Sequence, residues 1–192
     1  MPHGNPKQHT PPGAAAHMAS PNGLRLLVMD CDGVLTPGQI IYDNRRIESK
    51  HFSARDGLGL RLLRLAGIEA AVVTGRSSEV VAQRCADLRI EHVLQGVNNK
   101  FAAVEGIHRQ MGITWEQTAV IGDDWNDWPM LERAGLCATP ADGATDIKRR
   151  VHYVCPSGGG QGAIRELVDH ILRLRGQSDY ATQSFLDILR SR

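Results

Sequence analysis

A chain of 192 residues with 42% hydrophobic and 22% charged residues can build one packed core but hardly a second. Its net charge of +1 gives no bulk electrostatic reason to bind nucleic acid or an anionic membrane. The longest apolar runs, such as Leu26 to Met29 and Ala70 to Val73, are far too short to span a bilayer.

Residues 1–22 are rich in Pro, His, Gly, Ala and Ser and lack the basic-then-apolar order of a secretory signal. They are expected to be a disordered leader or a cloning remnant, followed by one domain over 23–175 and a tail over 176–192. Cys31, Cys85, Cys137 and Cys155 stand far apart, with no C-x-x-C pair. Without a signal peptide, and with a chain long enough to hold its own core, free thiols in a cytoplasmic protein are expected.

From Leu24 onward, short apolar runs alternate with amphipathic stretches, the pattern of βα units around a mostly parallel sheet. Leu24 to Met29 reads as a buried strand, and Gln39 to Phe52 as a β-hairpin turning at Asp43-Asn44. Leu58 to Ala66 reads as a helix, Ile68 to Val73 as a strand, and Ser77 to Asp87 as a serine-capped helix. Glu91 to Leu94 is a short strand and Asn98 to Met111 a helix. Thr118 to Gly122 is a strand and Asn126 to Ala134 a helix. Strands near Gly135–Ala138 and Val151–Val154 and a helix over Gly162–Leu174 complete the series. In the tail, Phe185, Leu186 and Leu189 are either an apolar cluster that docks over a site entrance or the end of a helix. The fold class is α/β: a Rossmann-like, mostly parallel sheet flanked by helices, with a small hairpin insertion and no cap domain.

Open sheets of this kind bind ligands at the carboxyl ends of their strands. The first strand there delivers Asp30 and Asp32, the second Thr74-Gly75-Arg76, and a later one Gly122-Asp123-Asp124 with Asn126 and Asp127 behind; Lys100 stands near the start of an intervening helix. Side chains two apart on extended backbone share a face, so Asp30 and Asp32 can address one ligand. Like charges that close call for a cation, and magnesium with oxygen ligands supplies one. Asp-x-Asp-Gly also occurs in calcium loops, but the twelfth position here is Ile41, where such a loop needs an acid. Taken singly, Thr74 reads as a helix cap, Lys100 as a surface lysine and the acids around Asp123 as a solvated turn. Their joint placement at successive strand and helix ends points to a phosphate and a divalent cation.

Asp30-Cys31-Asp32-Gly33-Val34-Leu35-Thr36, Thr74-Gly75-Arg76, Lys100 and Gly122-Asp123-Asp124-Trp125-Asn126-Asp127 together resemble the four motifs of the haloacid dehalogenase superfamily. The resemblance runs from Leu24 to Leu174. With only a hairpin where caps usually sit, it is to the capless branch, whose sugar-acid phosphatases form homotetramers. It implies an Asp30 nucleophile, an Asp32 acid and base, and Thr74 and Lys100 holding phosphate. It also implies Mg2+ on Asp30, the backbone carbonyl of Asp32 and Asp123, with Asp124 and Asp127 orienting the site. Thr74, Gly75 and the arginines Arg55, Arg76 and Arg84 are the substrate-binding candidates, each arginine suited to a carboxylate. Arg84 is equally a solvated helix face, and His51 is a candidate for the entrance. Arg76 and the Arg55-Asp56-Gly57 string favour an eight-carbon 3-deoxy sugar acid phosphate, in a precursor route to lipopolysaccharide. The alternatives are a nine-carbon sugar-acid 9-phosphate or a non-catalytic member of the fold. Gln161 departs from the arginine usual in that branch. No nucleic acid or membrane partner is expected.

Overall fold

The computed structural model describes residues 20–191, so the expectation for the leader, as far as Ala19, lies outside the described residues. Six parallel strands form one sheet in the order β5-β4-β1-β6-β7-β8. They are β1 (Leu26–Met29), β4 (Glu69–Val73), β5 (His92–Leu94), β6 (Thr118–Ile121), β7 (Leu136–Thr139) and β8 (Tyr153–Val154). β2 (Ile41–Tyr42) and β3 (Glu48–Ser49) make the separate antiparallel hairpin. The sheet and its flanking helices bear out the α/β reading.

β1 lies at the centre because its side chains are buried on both faces. Leu27 and Met29 join one apolar cluster, while Leu26 and Val28 join the other. That two-sided burial is why the strand reads as an unbroken apolar run. The first cluster is covered by α1 (Ala54–Leu65), α2 (Glu79–Leu88) and α6 (Ala163–Leu174). The second lies under α3 (Lys100–Met111), α4 (Trp128–Leu131) and α5 (Thr145–Lys148). All four cysteines are free and buried.

Three elements depart from the sequence expectations. α1 begins at Ala54 instead of Leu58, with the Ser53 hydroxyl accepting from the Asp56 amide. The expected helix Asn126–Ala134 is a 3-10 turn at Trp125–Asp127 running into the short α4. The region expected as a tail carries α7 (Ser178–Arg190), packed on α1 and α6, with Ala181 buried and Phe185 against the core beneath Arg61.

Asp56 is the main tie between α1 and α6. Its buried carboxylate accepts from the Gly162 amide at 3.2 Å and the Arg165 amide at 2.8 Å, capping α6 from a neighbouring helix. Gly59 permits the close approach, since a Cβ there would stand 3.0 Å from the Arg165 Cα. No helix among the described residues is long and apolar enough to cross a membrane.

Candidate active site

The chain leaves β1 in one direction and returns on its other flank at β6, which makes β1 the switch point of the sheet. Met29 pairs with Val72 of β4 and Ile121 of β6. Asp30, Thr74 and Asp123 therefore emerge from three adjacent strands at one edge.

Carboxylate oxygens of Asp30, Asp123 and Asp127 lie within 4.8 Å of one another. Lys100, at the first position of α3, reaches across and donates at 2.7 Å to both Asp30 Oδ1 and Asp127 Oδ1. Asp127 is fully buried, and its Oδ2 accepts from the Asp123 amide at 3.0 Å. Both of its oxygens are thus engaged, which suits an orienting role. Asp124 is exposed and caps the 3-10 turn by accepting from the Trp125 amide. Thr74 is buried, its hydroxyl accepting from the Arg76 amide at 3.4 Å; Gly75 follows it in the same loop.

Three carboxylates and one ammonium leave two negative charges to be balanced. The strain shows in the proton affinities. Burial, then repulsion from Asp127, raises Asp30 from 3.8 to about 6, against the pull of Lys100. Burial, with repulsion from Asp127 and Asp30, raises Asp123 from 3.8 to about 7. Burial opposes the Lys100 ammonium, but Asp127 and Asp30 outweigh it and raise its pKa. Hard oxygen donors with two uncompensated negative charges fit a magnesium ion. Gly33 keeps the space clear: at φ +94° it occupies backbone that favours glycine, and a Cβ would overlap the Asp123 carboxylate.

Asp32 stands apart from this cluster. Its Oδ1 accepts from the Lys50 ammonium and from the Thr36 hydroxyl at 3.3 Å, and its Oδ2 lies 3.6 Å from Arg76 Nε. Arg76 also donates to the Tyr42 hydroxyl at 2.7 Å and to Glu48 at 3.2 Å, binding the hairpin to the Asp32 loop. Arg55 is exposed, its guanidinium beside Gly162. Arg84 turns to the Ser53 carbonyl at 3.2 Å and lies over the Phe52 ring. His51 is exposed. The glycine-rich loop near Gln161 packs on the Asp32 loop, with the Gly160 amide donating to the Val34 carbonyl at 2.9 Å.

Sequence reasoning passed over Lys50 as a site residue, although its side chain is only 1% exposed and meets Asp32. The signal available was its place at the hairpin's exit. A cavity of about 260 Å³ is lined by Ile68 and Glu69 at the start of β4 and by Arg64 and Leu88. It opens at the opposite end of the sheet.

Residues 90–167 match the haloacid dehalogenase-like hydrolase family. The chain is 41% identical over 170 residues to the Escherichia coli 3-deoxy-D-manno-octulosonate 8-phosphate phosphatase KdsC, covering 88% of this chain and 90% of that one. This chain belongs to that phosphatase family. The family member from Moraxella catarrhalis, solved with a magnesium ion, a phosphate ion and a KDO molecule, superimposes with a TM-score of 0.83 at 36% identity. The match covers 86% of this chain and 95% of that one. The cobalt-bound phosphatase from Haemophilus influenzae gives a TM-score of 0.82 at 39% identity, over 87% and 99% of the two chains.

Proposed function

We propose that the chain hydrolyses 3-deoxy-D-manno-octulosonate 8-phosphate to the free sugar acid and phosphate through an aspartyl-phosphate on Asp30. The observation that carries the reading is Asp30 at the end of the central strand, with Lys100 holding its Oδ1 at 2.7 Å and Asp123 beside it. Similarity to phosphatases named for this substrate supports the choice of sugar acid.

In this reading an Asp30 oxygen attacks phosphorus and the bond from phosphorus to the sugar oxygen breaks. Asp32 gives its proton to the departing oxygen. Asp32 then takes a proton from the water that attacks phosphorus, releasing phosphate and restoring Asp30. Thr74, Gly75 and Lys100 hold the transferring oxygens, and Asp127 keeps Lys100 in place whether or not Asp30 is modified. Asp30, Asp123 and the Asp32 carbonyl would hold magnesium, which supplies charge neutralisation between an anionic nucleophile and an anionic phosphate. Asp124 orients this shell from outside.

For the substrate carboxylate we assign Arg76, whose side chain is 42% exposed beside Asp32, with Arg55 at the rim. Arg84 contributes by holding the end of the hairpin. Ile40, Tyr42 and Ile47 on the hairpin are 44%, 55% and 58% exposed. That apolar surface favours a homotetramer in which the hairpin closes a neighbour's site. The reading places the enzyme in the cytoplasm, feeding lipopolysaccharide precursor synthesis.

The test is phosphate release from the eight-carbon 8-phosphate and a nine-carbon sugar-acid 9-phosphate, with magnesium and with chelator, beside Asp30→Asn. Magnesium-dependent release favouring the eight-carbon acid and lost in the variant is expected. Preference for the nine-carbon acid would overturn the substrate, and release that survives Asp30→Asn would overturn the mechanism.

A further inference from the structure

A buried ammonium is costly unless it is paired, and the covered side chain of Lys50 is paired with one chosen oxygen. It follows β3 directly, so the hairpin fixes its backbone. Its ammonium donates to Asp32 Oδ1 and lies 3.6 Å from Glu48 Oε1. The Thr36 hydroxyl also donates to Oδ1, at 3.3 Å. Oδ1 of Asp32 is therefore held by the Lys50 ammonium, with the Thr36 hydroxyl dividing its one proton between this oxygen and the Cys31 carbonyl, 3.3 Å from each. The other, Oδ2, has the Arg76 guanidinium at 3.6 Å as its one charged neighbour among the described residues, on a side chain 42% exposed. The carboxylate is asymmetric: one oxygen is anchored by a close ammonium and the other has a longer contact to a partly exposed guanidinium.

We propose that Lys50 is a positioning residue for proton transfer to the leaving group, anchoring Asp32 by Oδ1 so that Oδ2 is the oxygen that exchanges protons with substrate. This rests on the reading of Asp32 as the acid and base. Lys50 does not touch the reacting atoms; it acts through Asp32. Because it sits on the hairpin, it also makes the aim of Asp32 depend on how that hairpin is seated. A purely structural role, tying hairpin to core, would predict a different pattern of loss.

Leaving groups separate the two. A sugar alkoxide needs a proton to depart, whereas p-nitrophenolate leaves without one, and kcat/KM reports the steps up to its departure. The experiment compares kcat/KM for the octulosonate 8-phosphate and p-nitrophenyl phosphate at saturating magnesium. The proteins are wild type, Lys50→Met, Lys50→Arg, Asp32→Asn and the double variant Lys50→Met/Asp32→Asn. Thermal melts of each report folding.

Asp32→Asn should lose about 10²-fold or more on the sugar phosphate and far less on the aryl phosphate. Lys50→Met should show the same selectivity with a smaller loss, on the order of tenfold or more, and should add little in the Asp32→Asn background. Lys50→Arg should recover part of it. Equal losses on both substrates in Lys50→Met, beside a selective loss in Asp32→Asn, would overturn the Lys50 proposal and leave Asp32 in its role. No selectivity in Asp32→Asn would overturn the reading of Asp32, and the proposal with it.

Discussion

The acidic cluster should make the metal-free protein lose stability as pH rises, and magnesium should reverse that loss. The sign follows from the direction of the shifts. Asp30 and Asp123 bind protons more tightly in the folded protein, at about 6 and about 7 against an ordinary 3.8. A group raised on folding adds stability that is complete below its unfolded pKa and disappears as pH climbs through its folded one. The window is therefore about pH 4 to 7. At about 1.4 kcal/mol for each tenfold in proton affinity, the two rises correspond to roughly 3 and 4 kcal/mol. Both include repulsion from Asp127, and Asp123 is only partly buried, so water screens its share. A combined loss of about 4 kcal/mol is the expected size, or roughly 10 °C in melting temperature for a chain this long. The assay is thermal denaturation from pH 5 to 8 in chelator and in saturating magnesium, with Asp123→Asn as reference. Magnesium should stabilise little at pH 5 and progressively more towards pH 8. Stabilisation by magnesium that is equal at pH 5 and pH 8 would refute the charge argument, as would an unchanged pH profile in Asp123→Asn.

Three further outcomes follow from named contacts. Gly33→Ala puts a methyl group against the Asp123 carboxylate at φ +94°, so magnesium affinity measured by calorimetry should fall at least tenfold with circular dichroism unchanged. Leu27→Ala removes a fully buried side chain of the central strand and should lower unfolding free energy by about 3 kcal/mol in urea titration. Ile47→Asp charges the most exposed of the three hairpin residues, and sedimentation should show the proposed tetramer shifting towards smaller species while the isolated fold still melts cooperatively.

The candidate site at the strand ends was legible because its logic is local. A strand buried on both faces must be apolar throughout, so the first polar residue beyond it marks where the chain leaves the sheet. Asp30 after Met29, Thr74 after Val73 and the acids after Gly122 could each be placed by that rule, and the structure sets them on adjacent strands. The caps were legible for the same reason: Ser78 and Asn99 accept from amides three residues on.

What was not legible depends on distant partners. Gly57 and Gly59 both weaken helix propensity, and the sequence reading starts α1 between them, at Leu58. The structure keeps both inside the helix because Arg84 and Arg165 of other helices crowd those positions. α7 was read as tail because its composition is polar, although Ala181 and Phe185 recur at helical spacing on the side that meets α1 and α6. The hardest case is Asp32. Sequence spacing puts its carboxylate on the same face as that of Asp30, and on that ground the two should share a cation. Instead a lysine 18 residues away and an arginine from another strand end draw it out of the cluster. In the proposed mechanism, that pull leaves Asp30 and Asp123 to the metal and Asp32 to the proton. That division of labour between two acids follows from where the hairpin places Lys50, which no local pattern around Asp32 encodes.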